Sequence, residues 1–327
     1  MNVSNLAATA PVEVTELRMT PPSRVGDSLF KWLTCAMAFS VLLLIVLVGL
    51  KLYQGSQLSM HKFGLNFLVD STWDPVNEEY GALPFIFGTI VSSLIALIIA
   101  VPLGIGTAVY LTELAPPRLR QPIITVVEML AAIPSVIFGL WGIFVMIPWL
   151  RVHLFPWLQK WFGFLPLFQG PIYGVSMLAA GIIIAIMILP IITSVSREIL
   201  RSVPDLQREA AYGLGATHWE VTRIAVLSYA KRGLFGAVIL GLGRALGETM
   251  AVTMVIGNRP EIAASLFAPG YSLASVIANE FTEATTDMYL SALFEIGLVL
   301  LGVTIITNIL AQLLITTMGG PKNSRGA

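Results

Sequence analysis

The sequence predicts an all-α integral membrane protein with six transmembrane helices, and three observations support this fold class. Of the 327 residues, 56% are hydrophobic and only 12% are charged, which is about half the charge of an ordinary soluble domain. The apolar residues lie in runs long enough to cross a bilayer, which takes about 20 helical residues. Each run is predicted to be helical, because a single segment in lipid must satisfy its own backbone hydrogen bonds.

The apolar runs define one predicted membrane domain. The predicted spans are residues 32–50, 84–111, 123–147, 173–193, 233–256 and 290–317. The first span lacks the small-residue cleavage site of a signal peptide, so we expect it to be retained. We interpret residues 1–29 as a flexible cytoplasmic tail, residues 30–317 as a single transmembrane domain and residues 318–327 as a second cytoplasmic tail. The single cysteine, Cys35, excludes an intrachain disulfide and is expected to be a core residue.

The distribution of positive charge predicts the orientation of the chain. Of the 19 Lys and Arg residues, 13 lie on the side that holds both termini, five lie on the other side and one, Arg244, lies inside a span. Cytoplasmic connections of membrane proteins carry the excess of Lys and Arg. We therefore expect both termini on the cytoplasmic side. The net charge of zero gives no sign of a nucleic-acid partner.

The two long outer connections, residues 53–83 and 148–172, are rich in aromatic residues. Trp73 lies in the first of them, and Trp149 and Trp157 lie in the second. Aromatic side chains at that depth often form a belt at the membrane interface. A platform for an extracytoplasmic partner is the other interpretation of these loops.

Residues that are unusual in a membrane core occur within the predicted spans. Pro102, Pro134 and Pro190 predict kinks, because a proline removes one backbone hydrogen bond of a helix. Glu128 and Glu295 are predicted near the ends of their spans, either as interface residues or as functional acids.

The connection at residues 194–232, between the fourth and fifth spans, is predicted to be folded. Its residues 202–205 (Ser-Val-Pro-Asp) form a helix-start pattern, and the helix is expected to run to Tyr212 and to end at the glycines that follow. Residues 217–220 (Thr-His-Trp-Glu) form a capping box that begins a second helix. His218 is expected to be a surface histidine rather than a metal ligand, because no second ligand lies nearby. A folded loop without a partner and a surface bound by a soluble partner both remain open.

The predicted span 233–256 contains a charged pair. Arg244 lies about 11 residues into this span, roughly 17 Å deep in a core about 30 Å thick, and Glu248 is expected on the same helical face. Gly243 and Gly247 form a GxxxG pattern that permits close helix approach. The pair either fixes helix packing or lies on an anion pathway, where a guanidinium can bind phosphate through two parallel hydrogen bonds.

The sequence from Glu209 to Gly215 resembles the EAA loop of ABC importer permeases. It reads Glu209-Ala210-Ala211, with Gly215 six residues after the glutamate, and Ser228 stands where the family usually has a proline. In that family the loop forms a coupling helix that docks in a groove of the ATPase subunit. The resemblance implies that Glu209, Ala210, Ala211 and Gly215 form the contact with a separate ATP-binding subunit.

Further stretches make the resemblance more specific. They are Trp73-Asp74-Pro75-Val76, Tyr80-Gly81-Ala82-Leu83-Pro84, the run from Glu128 to Ser135 and the run from Arg244 to Val252. Over about residues 30–317 the chain is similar to the PstC-type permeases of bacterial phosphate ABC importers. The resemblance implies the type I ABC importer permease fold, a location in the bacterial inner membrane and import of inorganic phosphate by alternating access. It also implies three partners: a PstA-type companion permease, a dimer of ATP-binding subunits and a periplasmic phosphate-binding protein. Arg244 and Glu248 would then belong to the substrate pathway.

Two other functions remain open at this stage, namely a permease for another oxyanion, such as molybdate or sulfate, and an anion channel. We predict no catalytic residues, no metal site and no cofactor. The sequence contains no HExxH, GxSxG or GxxxxGK[ST] motif. ATP hydrolysis is therefore expected in a separate subunit.

Overall fold

The computed structural model of the protein describes residues 24–317. These residues fall into two units, 24–48 and 49–317, and each is described by itself. The first unit holds most of helix α1 (Arg24–Gly55). Cys35 is exposed on this helix, so the expectation of a core residue was wrong.

The predicted tails are only partly open to comparison with the structure. Residues 1–23 and the predicted tail 318–327 lie outside the described residues. Helix α1 begins at Arg24, so the last six residues that we assigned to the first tail are helical.

The second unit contains the remaining elements, nearly all of them helical, including two short 3-10 turns at Gly64–Leu68 and Pro166–Phe168 that carry no label. In chain order they are α2 (Gln57–Phe63), the two-stranded hairpin β1 (Trp73–Asp74) and β2 (Glu79–Tyr80), α3 (Leu83–Leu114), α4 (Pro117–Ala132), α5 (Ser135–Phe162), α6 (Met177–Arg201), α7 (Asp205–Gly213), α8 (His218–Leu246), α9 (Met250–Val255), α10 (Leu273–Glu280) and α11 (Asp287–Thr317). Within the described residues, six helices are long and apolar enough to cross a membrane, namely α1, α3, α5, α6, α8 and α11. The all-α class and the number of spans are therefore confirmed.

The third span begins later than the sequence predicted. It is α5, Ser135–Phe162, rather than residues 123–147. Ile133 and Pro134 have extended backbone with ψ near 127° and 142°, because a proline lacks an N–H and forces the preceding residue out of the helical region. The residues before the proline form the separate helix α4, and much of the predicted outer loop 148–172 is helical.

The fifth span also differs from its predicted bounds of 233–256. Helix α8 begins at the predicted capping box, in which Thr217 Oγ1 accepts from the N–H of Glu220 and Glu220 Oε2 accepts from the N–H of Thr217. From there it runs without interruption through Ser228 to Leu246. The connection between spans is therefore 202–217 rather than 194–232, because the expected second short helix is the start of the span.

Helix α6 is the central helix of the second unit. Its side chains Ile183, Ile188 and Ile192 are buried in the largest apolar cluster. At Gly181, α6 lies so close to α3 that a Cβ atom would come within 2.6 Å of the Ile95 Cβ. Helix α8 packs on the same helix, since a Cβ at Gly241 would lie 2.9 Å from atoms of Ile192. Helices α3 and α8 are thus both fixed against α6.

Candidate functional site

Helix α7 forms where the sequence predicted a short helix between two spans. Pro204 has the extended backbone that precedes a helix, and Asp205 in the first turn carries the negative charge favoured there. The helix ends at Gly213, and Gly215 has φ +82°, a left-handed conformation that glycine adopts without strain. The predicted start and end of this helix are confirmed.

One face of α7 is exposed. Glu209 and Ala210 are exposed and Ala211 is half-buried, while Leu206 and Leu214 have 74% and 91% of their surface exposed. Exposed apolar side chains at one place on a protein commonly mark an interaction site. This face of α7 could therefore bind another protein.

The opposite face of α7 is held to the spans by Arg208, a residue that the sequence analysis did not select. Its guanidinium donates to Glu113 Oε1 at 3.1 Å, to Val203 O at 2.7 Å, to Asp205 Oδ1 at 3.0 Å and to Leu200 O at 3.0 Å. Glu113 lies 95 residues earlier in the chain. No local pattern could indicate this contact.

Arg244 lies in the last turn of α8 and is exposed in the single chain. The preceding charged residue of this helix is Arg232, 12 positions earlier, so the two are roughly 18 Å apart along the helix axis. Because the span starts 15 residues earlier than predicted, Arg244 lies near its end and not about 11 residues into it. A cation near the last turn also interacts favourably with the negative end of the helix dipole.

The face of α8 beside Arg244 is open. Within the described residues, a Cβ placed at Gly236 or Gly243 would have no neighbour within 4 Å, and one at Gly247 would meet only Gly243 O at 3.7 Å. Leu240 lies on the same helical row and is 57% exposed. The predicted GxxxG pattern therefore lies on a surface that the other described residues of the second unit leave uncovered.

Glu248 does not lie on the same helical face as Arg244. Helix α8 ends at Leu246, with Gly247 as its C-cap, and Glu248 lies in the break before α9. Among the ion pairs within 4.0 Å in residues 24–317, none joins Arg244 to Glu248. The Glu248 Oε1 instead lies 3.5 Å from the N–H of Ala251, in the first turn of α9. The expected i, i+4 relation was wrong, because the helix ends at the glycine between the two residues.

The two sides of this break pack on partly different helices. Helix α8 packs on α6, as described above. Helix α9 packs on α5, where a Cβ at Gly139 would lie 3.2 Å from the Cα of Ala251 and one at Gly142 would lie 2.8 Å from Val255. Ala251 and Val255 of α9 also belong to the apolar cluster around α6, so both sides of the break pack on α6 and α9 packs on α5 as well.

The hairpin in the first outer connection is part of a packed aromatic cluster. The Trp73 ring lies 4.9 Å from the Tyr80 ring and 4.8 Å from the Phe85 ring. The Trp73 Nε1 and the Tyr289 hydroxyl both donate to Glu280 Oε2, at 2.8 and 2.6 Å. Trp73 therefore belongs to a core and is not a simple belt residue.

The pKa values of two side chains in the hairpin are shifted by their surroundings. Burial raises the pKa of the Tyr80 phenol to about 12, and the nearby charge of Glu78 acts in the same direction. Hydrogen bonds from the Asn77 side chain and from the backbone of Asn77 and Val76 lower the pKa of Asp74. Asp74 is thus charged at neutral pH and shapes the turn between the two strands.

The other selected polar residues have structural contacts. Glu128 is exposed and pairs with Arg197 at 3.6 Å, whereas Glu295 is buried in α11. His218 Nε2 lies 3.2 Å from Glu113 O, and His218 Nδ1 contacts the Tyr212 hydroxyl. In residues 24–317, no group of three or more His, Cys, Asp or Glu side chains is arranged to hold a metal ion.

These features define a class of protein: a multi-pass membrane permease with an exposed helix between two of its spans. Residues 100–319 match the family described as binding-protein-dependent transport system inner membrane component. The chain belongs to that family and is a multi-pass protein of the inner membrane.

Relatives of the chain make the comparison more specific. The chain is 48% identical to the phosphate transport system permease protein PstC of Mesorhizobium japonicum, over 88% of this chain and 89% of the relative. It is also 48% identical to the PstC protein of Haemophilus influenzae, over 90% of this chain and 95% of the relative. A probable PstC protein of Methanocaldococcus jannaschii is 36% identical over 86% of this chain and 91% of the relative.

A solved structure supports the predicted fold. A chain of the MetNI methionine ABC transporter, in an inward-facing conformation, superposes with a TM-score of 0.50 and 17% sequence identity. The match covers 73% of this chain and 95% of that chain. The protein therefore has the ABC importer permease fold.

Proposed function

We propose that the chain is a permease subunit of an ATP-driven importer that moves inorganic phosphate across the inner membrane. The observation that carries the proposal is Arg244, which is exposed on an open face in the last turn of an apolar span. The names of relatives that are 48% identical over about nine-tenths of the chain support phosphate as the substrate.

The energy of a buried charge supports a pathway beside Arg244. An arginine at the centre of a membrane helix costs about 2.5–3.5 kcal/mol on insertion scales and is rarely left facing lipid. In the single chain its side chain is exposed, and the glycines beside it leave space. Another subunit or a water-filled passage must therefore cover this face, and a passage at a subunit interface satisfies both conditions.

The chemistry of the site fits phosphate. A guanidinium binds a phosphate group through two parallel, charge-assisted hydrogen bonds. Glu248 lies four residues away, in the break, and can offset the charge of Arg244 when no anion is bound. We assign it a second role, in which its carboxylate accepts a hydrogen bond from hydrogen phosphate, a donor that sulfate lacks at neutral pH.

The proposed importer has four kinds of subunit. This chain pairs with a PstA-type companion permease, and a dimer of ATP-binding subunits docks on α7 through Glu209, Ala210, Ala211 and the turn at Gly215. A periplasmic phosphate-binding protein delivers the anion to the opposite end. The chain itself is a permease component and not an enzyme, and ATP is hydrolysed by the separate subunit. Both termini lie on the cytoplasmic side in this arrangement, which fits the excess of Lys and Arg there.

The test of the proposed function is uptake of labelled phosphate by cells that lack their own importer and express this chain with its companion subunits. We expect uptake that requires both ATP hydrolysis and the binding protein. Competition by molybdate or sulfate at equal concentration would identify another oxyanion as the substrate. Phosphate flux without ATP or binding protein would identify a channel and contradict the proposal.

Replacement of Glu248 by Gln tests its proposed role. The amide removes the negative charge but keeps the size of the side chain. A hydrogen bond to a charged group contributes about 1.5–3 kcal/mol, so we expect uptake to fall by about 10- to 100-fold. We also expect sulfate to begin to compete, measured as inhibition of phosphate uptake.

The control for this variant is Glu283→Gln, which changes an exposed carboxylate in the connection before α11. It should leave uptake and sulfate exclusion unchanged. If Glu248→Gln behaves like this control, the carboxylate does not contact the substrate and the proposed role is wrong.

A further inference from the structure

The end of helix α3 has an unusual backbone. Its last five residues, Tyr110–Leu114, form a wide turn with i to i+5 hydrogen bonds rather than regular α-helix. This turn places Glu113 against α7, and only 8% of its side chain remains exposed. A carboxylate that is so well covered needs a partner, because burial of an unpaired charge is strongly unfavourable.

Arg208 of α7 is that partner. Its Nη2 lies 3.1 Å from Glu113 Oε1, and only 18% of the Arg208 side chain is exposed. The same guanidinium donates to Leu200 O in the last turn of α6 and to Val203 O in the connection that follows it. One side chain of α7 thus contacts the ends of two spans, α3 and α6.

A second contact joins the same turn to the start of α8. The His218 Nε2 lies 3.2 Å from Glu113 O, and His218 Nδ1 contacts the Tyr212 hydroxyl. Because a carbonyl can only accept, Nε2 carries the proton and Nδ1 accepts from Tyr212. The Glu113 turn is therefore bonded to residues before and after the C-terminal end of α7.

These contacts link α7 to α3, a helix that is not its neighbour in the sequence. Along the chain α7 is joined only to α6 and α8. Helix α3 ends 91 residues before α7 begins, yet it is bonded to α7 through Glu113. Helix α3 also lies against α6 along its length, at Ile95 with Gly181 and at Gly104 with Ile192. A displacement of α7 toward or away from the membrane therefore acts on α3 through the Glu113–Arg208 pair.

We propose that Glu113 and Arg208 are positioning residues that couple movement of α7 to movement of α3. The inference rests on the proposed function, in which α7 receives the motion of an ATP-binding subunit. The pair differs in this respect from Asp205, which also bonds Arg208 but is 87% exposed and lies on α7 itself. Among the described partners of the arginine, only Glu113 belongs to a span that is distant in sequence.

The experiment compares Glu113→Gln with the unchanged chain in the complete importer, reconstituted with its companion subunits and the phosphate-binding protein. Gln retains the shape of the side chain and removes its charge. ATP hydrolysed and phosphate imported are measured on the same preparation. Coupling free energies between sites typically correspond to factors of 5–150, and we expect the phosphate imported per ATP to fall by about tenfold. ATP hydrolysis and the amount of assembled complex should remain near normal.

Asp205→Asn is the matched control. Asp205 bonds the same guanidinium but is exposed, so this variant removes a charged partner of Arg208 and leaves Glu113 in place. It should leave the ratio of phosphate to ATP unchanged. Glu113→Asp, which keeps the charge on a shorter side chain, should give an intermediate ratio.

The outcomes separate coupling from simple stability and from a wrong function. A normal ratio for Glu113→Gln would overturn the inference, as would loss of complex in proportion to uptake for both Glu113 variants. In either case, import by the unchanged chain would leave the proposed function standing. If the unchanged chain imports no phosphate, both the proposed function and this inference are contradicted.

Discussion

Arg244→Gln is expected to abolish phosphate uptake while the chain still assembles with its companion subunits. Glutamine fits the open face beside Gly243 and keeps hydrogen-bonding groups, but it cannot supply the positive charge that an anion needs in a low-dielectric passage. Removal of one partner of a buried charged pair costs about 2–5 kcal/mol. We therefore expect the rate of uptake to fall by about 100-fold, measured with labelled phosphate in cells that lack their own importer.

The control for this result is Arg232→Gln on the same helix. Arg232 is also exposed, but it lies 12 residues earlier, at the predicted cytoplasmic end of the span. We expect near-normal uptake from this variant. Normal uptake by Arg244→Gln would contradict a role on the substrate path and would return Arg244 to a packing role. Loss of the assembled complex would have the same meaning.

Leu214→Glu is expected to release the ATP-binding subunit from the complex. Leu214 is 91% exposed at the end of α7, so the substitution leaves the fold of the chain intact. In the proposed assembly, however, this side chain lies at the centre of the docking surface. The few residues that dominate an interface each cost about 2 kcal/mol or more when truncated, and a buried glutamate adds the cost of an unpaired charge. We expect the ATP-binding subunit to be lost on purification and uptake to fall to background.

Val76→Glu is a control with the same exposure. Val76 is also 91% exposed, but it lies in the hairpin before α3. Helix α3 is roughly 48 Å long, and α7 lies at its other end. This variant should retain the ATP-binding subunit. Retention of that subunit by Leu214→Glu, with uptake unchanged, would place the docking surface elsewhere.

Much of the architecture could be predicted from local patterns in the sequence. The six apolar runs, the start of α7 at Asp205 and the capping box at Thr217 each depend on residues that are close together in the chain. Such patterns act through the backbone and need no knowledge of the rest of the fold. Arg244 and Glu209 could be selected for the same reason, because a charge in an apolar run and a family motif are visible in the sequence itself.

Other features depend on contacts that no local pattern contains. A proline within an apolar run can either kink a helix or end it, and the sequence does not show which. In the structure Pro134 ends the helix before it, so α5 starts late. A glycine can likewise lie within a helix or end it, and Gly247 ends α8. The contact of Arg208 with Glu113 joins residues 95 positions apart, and the exposed Arg244 face is defined by what residues 49–317 do not cover. These facts arise from tertiary packing.

The break between α8 and α9 has a consequence for the life of the chain before assembly. Backbone that is not helical is tolerated at membrane depth only where protein or water covers it, and both Gly247 and Met250 are exposed in the single chain. A newly made copy without its companion would present this backbone and the Arg244 charge to lipid. We therefore expect unpaired copies to be removed by membrane proteolysis, so that the two permeases accumulate in equal numbers. A pulse-chase comparison of the half-life of the chain with and without its companion tests this expectation, and equal half-lives would contradict it.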